Sequence, residues 1–209
     1  MPFWALRVEP EAFPDPELDL APDGDNAPQT AVLAGGCFWC TEAVFRELDG
    51  VLSVRSGYAG GTAATANYDT VCSGTTDHAE AIEIRYDPAR TSFGQLLKIF
   101  FSVAHDPTQM NRQGNDRGRQ YRSAVFTADE AQRKVAAAYI RQLERVQVYS
   151  APVKTVLEPL EAIYEAEAHH QDYAARNPAQ PYIVHTSRPK VENLRAHFPG
   201  RLKNSKKTA

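Results

Sequence analysis

Two of the three cysteines in this chain, Cys37 and Cys40, lie three positions apart within residues 35–42. An apolar run at residues 31–34 precedes them, and a helix-like pattern of apolar residues follows, so we predict that a strand, a glycine hinge and a helix start meet at Cys37. Unpaired N–H groups and the helix dipole would favour a thiolate there. A thiolate with a second thiol within reach can be oxidised and restored through a disulfide, which predicts redox chemistry.

Large aromatic side chains, Phe38 and Trp39, stand between the two cysteines. Beside a reactive thiol they could form an apolar wall that accepts a small methyl or thioether group. They could equally be core residues beneath the first turn of the helix. The residue types alone leave both interpretations open.

The spacing of the two cysteines is also that of half a zinc site, which is the alternative to redox chemistry. Zinc in a structural site takes four ligands. Cys72 is single, and the adjacent His169 and His170 have no partner at a zinc-finger spacing. We therefore predict no metal and no cofactor, with Cys72 as a small buried residue of its loop and these histidines, like His78, as hydrogen-bonding residues.

A carboxylate, Glu80, begins the strand predicted at residues 78–86. Side chains alternate between the two faces of a strand, so Glu80 shares the face of Ile82 and Ile84, while Glu83 lies on the wet side. Desolvation of an inward carboxylate raises its pKa, and a carboxylic acid protonated near neutral pH suits general-acid catalysis. The alternative is a rim carboxylate paired with a cation.

A long polar loop covers residues 109–123. It is too rich in specific polar groups for a simple connector, and such loops are often functional. Asp116 and Tyr121 are candidates for an acceptor of a substrate N–H and for a hydroxyl donor. A surface loop that hydrogen-bonds only to itself is the alternative.

The apolar periodicity predicts short strands that alternate with helices. The strands are predicted at 30–34, 51–57, 78–86, 120–126 and 153–158; the helices at 38–48, 93–104, about 128–145, 161–169 and 189–197. A capping box of Thr127 and Glu130 should begin the third helix, and a polar loop should cover 62–77. This succession predicts an α/β (α+β) fold, a two-layer sandwich with a mixed sheet.

The 209 residues carry 23 basic and 26 acidic side chains, a net charge of −3 that indicates neither nucleic-acid nor membrane binding. Residues 1–29 hold seven acids and six of the fourteen prolines, whereas residues 201–209 hold four basic residues and no acid. We expect a proline-rich acidic arm at 1–29 that can lie on the body, one domain at 30–198, and a basic tail at 199–209.

The first residues lack a basic region followed by an apolar stretch, so we expect no secretory signal, and no apolar run is long enough to span a membrane. Three cysteines in a chain of this length do not form a disulfide framework. These observations predict a cytoplasmic protein, with a monomer as the default state.

The motifs of the chain resemble peptide methionine sulfoxide reductase A in order and spacing, over about residues 30–198. They are Gly35-Gly36-Cys37-Phe38-Trp39, Ser56-Gly57-Tyr58-Ala59-Gly60-Gly61, Asn67-Tyr68, Val71-Cys72-Ser73-Gly74, His78-Ala79-Glu80, His105-Asp106-Pro107, Asn111-Arg112-Gln113-Gly114-Asn115-Asp116, Gln120-Tyr121-Arg122-Ser123 and His169-His170-Gln171-Asp172-Tyr173. The resemblance implies an α/β sandwich of ferredoxin-like plan and reduction of methionine sulfoxide, peptide-bound or free.

The resemblance also implies the catalytic roles. Cys37 would be the nucleophile that attacks the sulfoxide sulfur and becomes a sulfenic acid, the reversible first product of thiol oxidation. Glu80, Tyr68 and Tyr121 would hydrogen-bond the sulfoxide oxygen and protonate it. A sulfoxide sulfur is electrophilic only when its oxygen is stabilised, so the acid and the sulfur nucleophile must act together.

For substrate binding, the resemblance implies that Phe38 and Trp39 hold the S-methyl group and that Asp116 orients the substrate through its backbone N–H. Preference for the S epimer rests on the resemblance alone. The implied substrates are oxidised proteins and methionine sulfoxide peptides, and the implied reductant is thioredoxin.

Cys40 is a departure from many members of the family, which have Gly at this position and a recycling cysteine near the carboxyl end. Residues 73–209 contain no cysteine. We therefore expect Cys40 to attack the sulfenic acid of Cys37 and form a disulfide that thioredoxin reduces. Cys72 or an external thiol would be its replacement.

Two other functions share some of these features. A thioredoxin-like dithiol-disulfide oxidoreductase would have the same cysteine spacing, but it would not need Glu80, Asp116 or the tyrosines. A module that only binds oxidised methionine or zinc is the second alternative. Loss of sulfoxide reduction on changing Glu80 would separate the reductase from the oxidoreductase.

Overall fold

We describe the fold from a computed structural model, which places residues 8–20 and 27–203. The strands are β1 (Gln29–Gly35), β2 (Val51–Ala59), β3 (Ala79–Tyr86), β4 (Arg112–Gln113), β5 (Asp116–Arg117), β6 (Ser123–Thr127), β7 (Val156–Pro159) and β8 (Ile163–Glu165). The helices are α1 (Phe38–Arg46), α2 (Tyr68–Cys72), α3 (Phe93–Ile99), α4 (Glu130–Arg145), α5 (Tyr173–Arg176) and α6 (Arg188–His197).

Six strands form one mixed sheet in the order β7-β6-β1-β3-β2-β8, and β4 and β5 form a separate small hairpin. The pair β6–β7 is parallel, while the other neighbours in the large sheet are antiparallel. The mixed sheet packed with helices confirms the predicted two-layer fold class.

The main core lies between one face of this sheet and the helices. The register of β1 against β3 sets Ala31 beside Ile84 and Leu33 beside Ile82, and these four side chains belong to the main apolar cluster. The opposite face carries mostly alanines, which leave room for close cover by the chain around Leu160 and Ile163. Both faces of β1 are therefore buried, as its unbroken apolar run requires.

The helix predicted at 161–169 is wrong. Residues Ile163–Glu165 form edge strand β8, which pairs with the end of β2 through Tyr58 and Tyr164. Pairing with an open sheet edge satisfies the backbone of this short segment, and that tertiary contact outweighs its local helical pattern. A Cβ at Gly57 would lie 2.6 Å from the carbonyl oxygen of Tyr164, so only glycine allows this approach.

Two other boundaries also differ from the sequence predictions. The polar loop at 62–77 contains α2, because Asn67 Oδ1 accepts a hydrogen bond from the N–H of Thr70 (3.0 Å) and caps a short helix. The strand predicted at 120–126 begins only at Ser123, since residues 119–121 form a 3₁₀ turn.

Helix α4 begins two residues further along than the predicted capping box. The cap is Asp129, whose side chain accepts a hydrogen bond from the N–H of Gln132 (2.7 Å). Gln132 Oε1 in turn accepts from the N–H of Ala128 (3.0 Å). The hydroxyl of Thr127 is instead directed to the carbonyl of Glu158 at the end of β7.

We expect Asp129→Ala to lower the free energy of unfolding by about 1 kcal/mol, because an N–H at the start of α4 loses its acceptor. Urea unfolding measures this change. Glu130→Gln, at the other end of the predicted box, is the matched control and should change stability by less than about 0.5 kcal/mol. A larger loss for Glu130→Gln than for Asp129→Ala would contradict the assigned cap.

The described part of the acidic arm, residues 8–20, packs on the helices. Phe13 is buried, the hydroxyl of Tyr139 donates to the carbonyl of Pro14 (3.0 Å), and the carboxylate of Asp19 accepts from the N–H of Gly94 (2.8 Å). Residues 1–7 and 21–26 of the predicted arm and residues 204–209 of the predicted tail lie outside the described residues. Among the described helices, none is both long and apolar enough to cross a bilayer.

Candidate active site

Cys37 stands at the junction of β1 and α1, where it is the residue that precedes the first helical position. The turn into the helix uses Gly36, whose φ is +85°. A Cβ there would lie 2.6 Å from the side chain of Gln113, so the hinge requires glycine for both its backbone and its packing. The predicted meeting of strand, hinge and helix is therefore observed.

Both thiols are reduced, and they lie within hydrogen-bonding reach of each other. The expected thiolate at Cys37 is not supported. Burial raises the pKa of the Cys37 thiol well above its ordinary value, and neighbouring Cys40 and Glu80 add to this effect. A hydrogen bond from Cys37 lowers the pKa of Cys40 to about 7, against the opposing effect of burial. Desolvation outweighs the helix terminus at Cys37 and favours its protonated thiol.

Glu80 lies beside these thiols at the start of β3. Its side chain faces inward as the strand alternation predicts, with 2% of the residue exposed. The carboxylate accepts a hydrogen bond from the N–H of Phe38 (3.0 Å), one of the free N–H groups at the start of α1. Burial raises the pKa of Glu80 to about 8, because this hydrogen bond and one with Cys37 offset only part of the desolvation.

Tyr68 and Tyr121 contribute hydroxyl groups near this carboxyl. Tyr68 is the first residue of α2, and Tyr121 ends the 3₁₀ turn before β6. Burial raises the pKa of both tyrosines, and the charges of Glu80 and Cys37 raise them further. Both hydroxyls are therefore neutral and able to donate a hydrogen bond at physiological pH.

The two aromatic residues between the cysteines differ in burial. Phe38 is fully buried and packs against the rings of Tyr58 and His170. Trp39 is half-buried, lies parallel to Tyr173 with ring centroids 3.8 Å apart, and donates its indole N–H to His170 Nδ1 (3.2 Å). The core interpretation applies to Phe38, and the apolar wall at Trp39 stays a prediction.

Asp116 on β5 is joined to Cys40 through a residue that the sequence did not single out, Tyr182. The Tyr182 hydroxyl donates to Asp116 Oδ2 (2.5 Å) and lies 3.8 Å from Cys40 Sγ. Its ring meets the edge of Trp39. The available signal was an aromatic residue in the proline-rich loop after the His169–Tyr173 motif.

Glu167 is a second residue that sequence reasoning missed. Its carboxylate accepts hydrogen bonds from the N–H of Tyr68 (2.8 Å) and the hydroxyl of Tyr58 (2.8 Å), so it fixes the start of α2 against the sheet. His170 lies over the ring of Tyr68, with centroids 4.3 Å apart. His78 Nε2 is 3.0 Å from the carbonyl of Thr62, in a structural contact.

Cys72 is on α2 and half-exposed, where a small buried loop residue was expected. Its thiol hydrogen-bonds with the hydroxyl of Tyr68, which brings it to the border of the site. Among the described residues, the group with metal-ligand geometry is Glu9, Glu11 and His197, which includes none of the cysteines.

Comparison with known proteins identifies the chemistry that this geometry serves. A family model described as peptide methionine sulfoxide reductase matches residues 29–202. Peptide methionine sulfoxide reductase MsrA 2 of a Synechocystis species is 53% identical, with 92% of this chain and 91% of that protein covered. The protein of the same name from Mesorhizobium japonicum is 48% identical, with 82% and 88% covered.

Solved structures agree with the sequence relatives. The reduced form of Mxr1 from Saccharomyces cerevisiae superposes with a TM-score of 0.68 at 33% identity, over 76% of this chain and 90% of that one. Methionine sulfoxide reductase A of Corynebacterium diphtheriae superposes with a TM-score of 0.64 at 35% identity, over 74% and 77%. The chain belongs to the peptide methionine sulfoxide reductase family and is an enzyme that reduces methionine sulfoxide.

Proposed function

We propose that the enzyme reduces the S epimer of methionine sulfoxide, in peptides and free, through a Cys37 sulfenic acid and a Cys37–Cys40 disulfide that thioredoxin reduces. The observation that carries this proposal is the position of the buried Glu80 carboxyl beside the Cys37 thiol. The carboxyl accepts a hydrogen bond from the N–H of Phe38 at the start of α1 and also hydrogen-bonds with Cys37.

In the first step, the Cys37 sulfur attacks the sulfoxide sulfur and the S=O oxygen is transferred. Because burial favours the protonated Cys37 thiol, its proton must leave before attack, and the ionised form of the adjacent Glu80 is the group placed to take it. Glu80 then donates this proton to the sulfoxide oxygen, with Tyr68 and Tyr121 as further donors. Cys37 becomes a sulfenic acid, oxidised by two electrons, and the sulfoxide becomes a thioether.

Substrate binding uses the surroundings of Trp39. The ring of Trp39 supplies apolar surface for the S-methyl group, while the fully buried Phe38 supports that surface from below. Asp116 has a second carboxylate oxygen beyond the one that Tyr182 occupies, and this oxygen can accept the substrate backbone N–H.

In the recycling step, the Cys40 sulfur attacks the sulfenic acid, water leaves, and the Cys37–Cys40 disulfide forms. The charge of Lys190 and the hydrogen bond with Tyr182 lower the pKa of Cys40 and favour the thiolate needed for this attack. Thioredoxin then returns both cysteines to thiols, and its own dithiol becomes a disulfide.

The alternative function, general dithiol-disulfide exchange, is favoured by the same low pKa at Cys40 and by the helix-terminal position of the pair. Such exchange would not require the Glu80 carboxyl. Reduction of insulin disulfides at rates comparable to those of a thioredoxin, unchanged by Glu80→Gln, would support this alternative.

The test of the proposed cycle is Cys40→Ser. In a single turnover without reductant, this variant should still form one methionine per chain, because Cys37 and Glu80 remain. With thioredoxin, its steady-state rate should fall to about one-tenth or less, because the sulfenic acid has lost its nearest thiol. Cys72→Ser is the matched variant: loss of thioredoxin-dependent turnover in Cys72→Ser, but not in Cys40→Ser, would assign recycling to Cys72 and contradict the proposal.

A further inference from the structure

The two cysteines of the site differ in how far a second protein can reach them. Cys37, at the end of the glycine hinge, is 8% exposed, whereas Cys40 is 1% exposed within the first turn of α1. Tyr182 lies over the Cys40 sulfur at 3.8 Å. Both cysteines are buried, and Cys37 is the less buried residue of the pair.

The surroundings of Cys40 also suit a sulfur that must carry negative charge. Its hydrogen bond with the Tyr182 hydroxyl and the charge of Lys190 on α6 both lower the pKa of Cys40. Lys190 is itself buried and directed by a hydrogen bond from its Nζ to the carbonyl of Ala104 (2.7 Å). Cys37 has an acid as its neighbour instead, and the charge of Glu80 opposes a thiolate there.

Thiol–disulfide exchange depends on both differences. A thiolate attacks one sulfur of a disulfide and expels the other, and the reaction is faster when the attacked sulfur is accessible and the expelled thiolate is well stabilised. In this site the two requirements select the same direction of attack.

We propose that thioredoxin attacks the sulfur of Cys37, so that the mixed disulfide forms on Cys37 and Cys40 is expelled. The proposal rests on the proposed function, since it concerns the Cys37–Cys40 disulfide of that cycle. A bond forms between the reductant sulfur and Cys37 while the Cys37–Cys40 bond breaks, and the electron pair goes to Cys40. The second thiol of thioredoxin then attacks the thioredoxin sulfur that is bonded to Cys37. The Cys37 thiolate leaves and takes up a proton.

The experiment traps the mixed disulfide on the full chain. The enzyme is oxidised by turnover with a methionine sulfoxide peptide, mixed with a thioredoxin whose second active-site cysteine is serine, and quenched with acid. Peptide mapping by mass spectrometry then locates the adduct. We expect about nine-tenths of the adduct on Cys37.

An adduct mainly on Cys40 or Cys72 would overturn the inference and leave the proposed activity intact. If sulfoxide turnover forms no Cys37–Cys40 disulfide, which mass mapping shows before thioredoxin is added, the recycling step of the proposed function is wrong and this inference falls with it. The two failures are thus distinguishable.

A second measurement separates access from leaving-group ability. Cys40→Ser and Cys37→Ser are each converted to the mixed disulfide with thionitrobenzoate, so that the same coloured group leaves from either cysteine. Thioredoxin should release this group from Cys37 about tenfold faster or more than from Cys40. Equal rates, or faster release from Cys40, would contradict the proposed direction of attack even if the trapped adduct had exchanged before the quench.

Discussion

Glu80→Gln is expected to slow sulfoxide reduction in a single turnover by about 10²–10⁴-fold at pH 7, the range typical of loss of a general acid. The amide cannot take the proton from the Cys37 thiol or deliver it to the sulfoxide oxygen. Its oxygen can still accept the hydrogen bond from the N–H of Phe38, so the start of α1 should stay in place. The loss should therefore fall on the chemical step.

Rapid-quench measurement of methionine formed from a sulfoxide peptide checks this prediction. Glu83→Gln is the matched control, because Glu83 lies on the same strand with the opposite parity and pairs with Arg55 on the outer side of the sheet (Nε to Oε1, 3.0 Å). Its rate should stay within about twofold of the unmodified enzyme. Equal rates for Glu80→Gln and Glu83→Gln would remove Glu80 from the mechanism.

Glu80→Gln should also change how stability depends on pH. The pKa of Glu80 is higher in the folded state than its ordinary value, so its contribution to stability is complete below about pH 4.5 and is lost as the pH rises towards 8. Above pH 8 the native enzyme must bury a carboxylate, whereas the variant buries a neutral amide. Urea unfolding at pH 6 and pH 9 should therefore show the variant gaining stability relative to the native enzyme at the higher pH.

The single-turnover rate of the native enzyme should have a bell-shaped dependence on pH. The reactive state of Cys37 and Glu80 contains one proton for the two groups, since the sulfur must be ionised when the acid is protonated. The first proton leaves the pair near pH 8, the value of Glu80, so the single-turnover rate should rise about tenfold per pH unit below 8. At higher pH the second proton is lost, because the raised pKa of Cys37 is reached, and the rate should fall.

Single-turnover rates from pH 5 to pH 10 measure this profile, and Glu80→Gln provides its control. Without the carboxyl, the single-turnover rate should rise as the Cys37 thiol ionises and should not fall again at high pH. A native profile that is flat between pH 5 and pH 8 would mean that Cys37 is already ionised at rest, as the helix terminus alone predicts.

Local pattern was sufficient for the junction at Cys37 and for the direction of Glu80. Both follow from short-range rules: an apolar run before two glycines, and the alternation of side chains along a strand. The mixed two-layer fold class followed from the same patterns. The motifs added the identity of the family, because several of them agree in order and spacing.

Features that depend on distant contacts were not predictable in this way. Segment 161–169 has a helical pattern, yet it pairs as a strand because β2 offers it an open edge. The hydrogen bond of Tyr182 to Asp116 joins residues 66 positions apart. The raised pKa of Cys37 was not predicted, because burial, which no local pattern reports, outweighs the helix terminus.

The position of Cys37, the less buried cysteine of the pair, at the glycine hinge has a kinetic consequence. If methionine sulfoxide peptides and thioredoxin both bind at Cys37, their binding sites overlap and the enzyme cannot bind both at once. Repaired peptide must then depart before the electron donor docks, which is a ping-pong cycle with parallel double-reciprocal plots. Oxidised peptide bound at Cys37 would exclude the donor, so a high concentration of oxidised peptide should inhibit turnover.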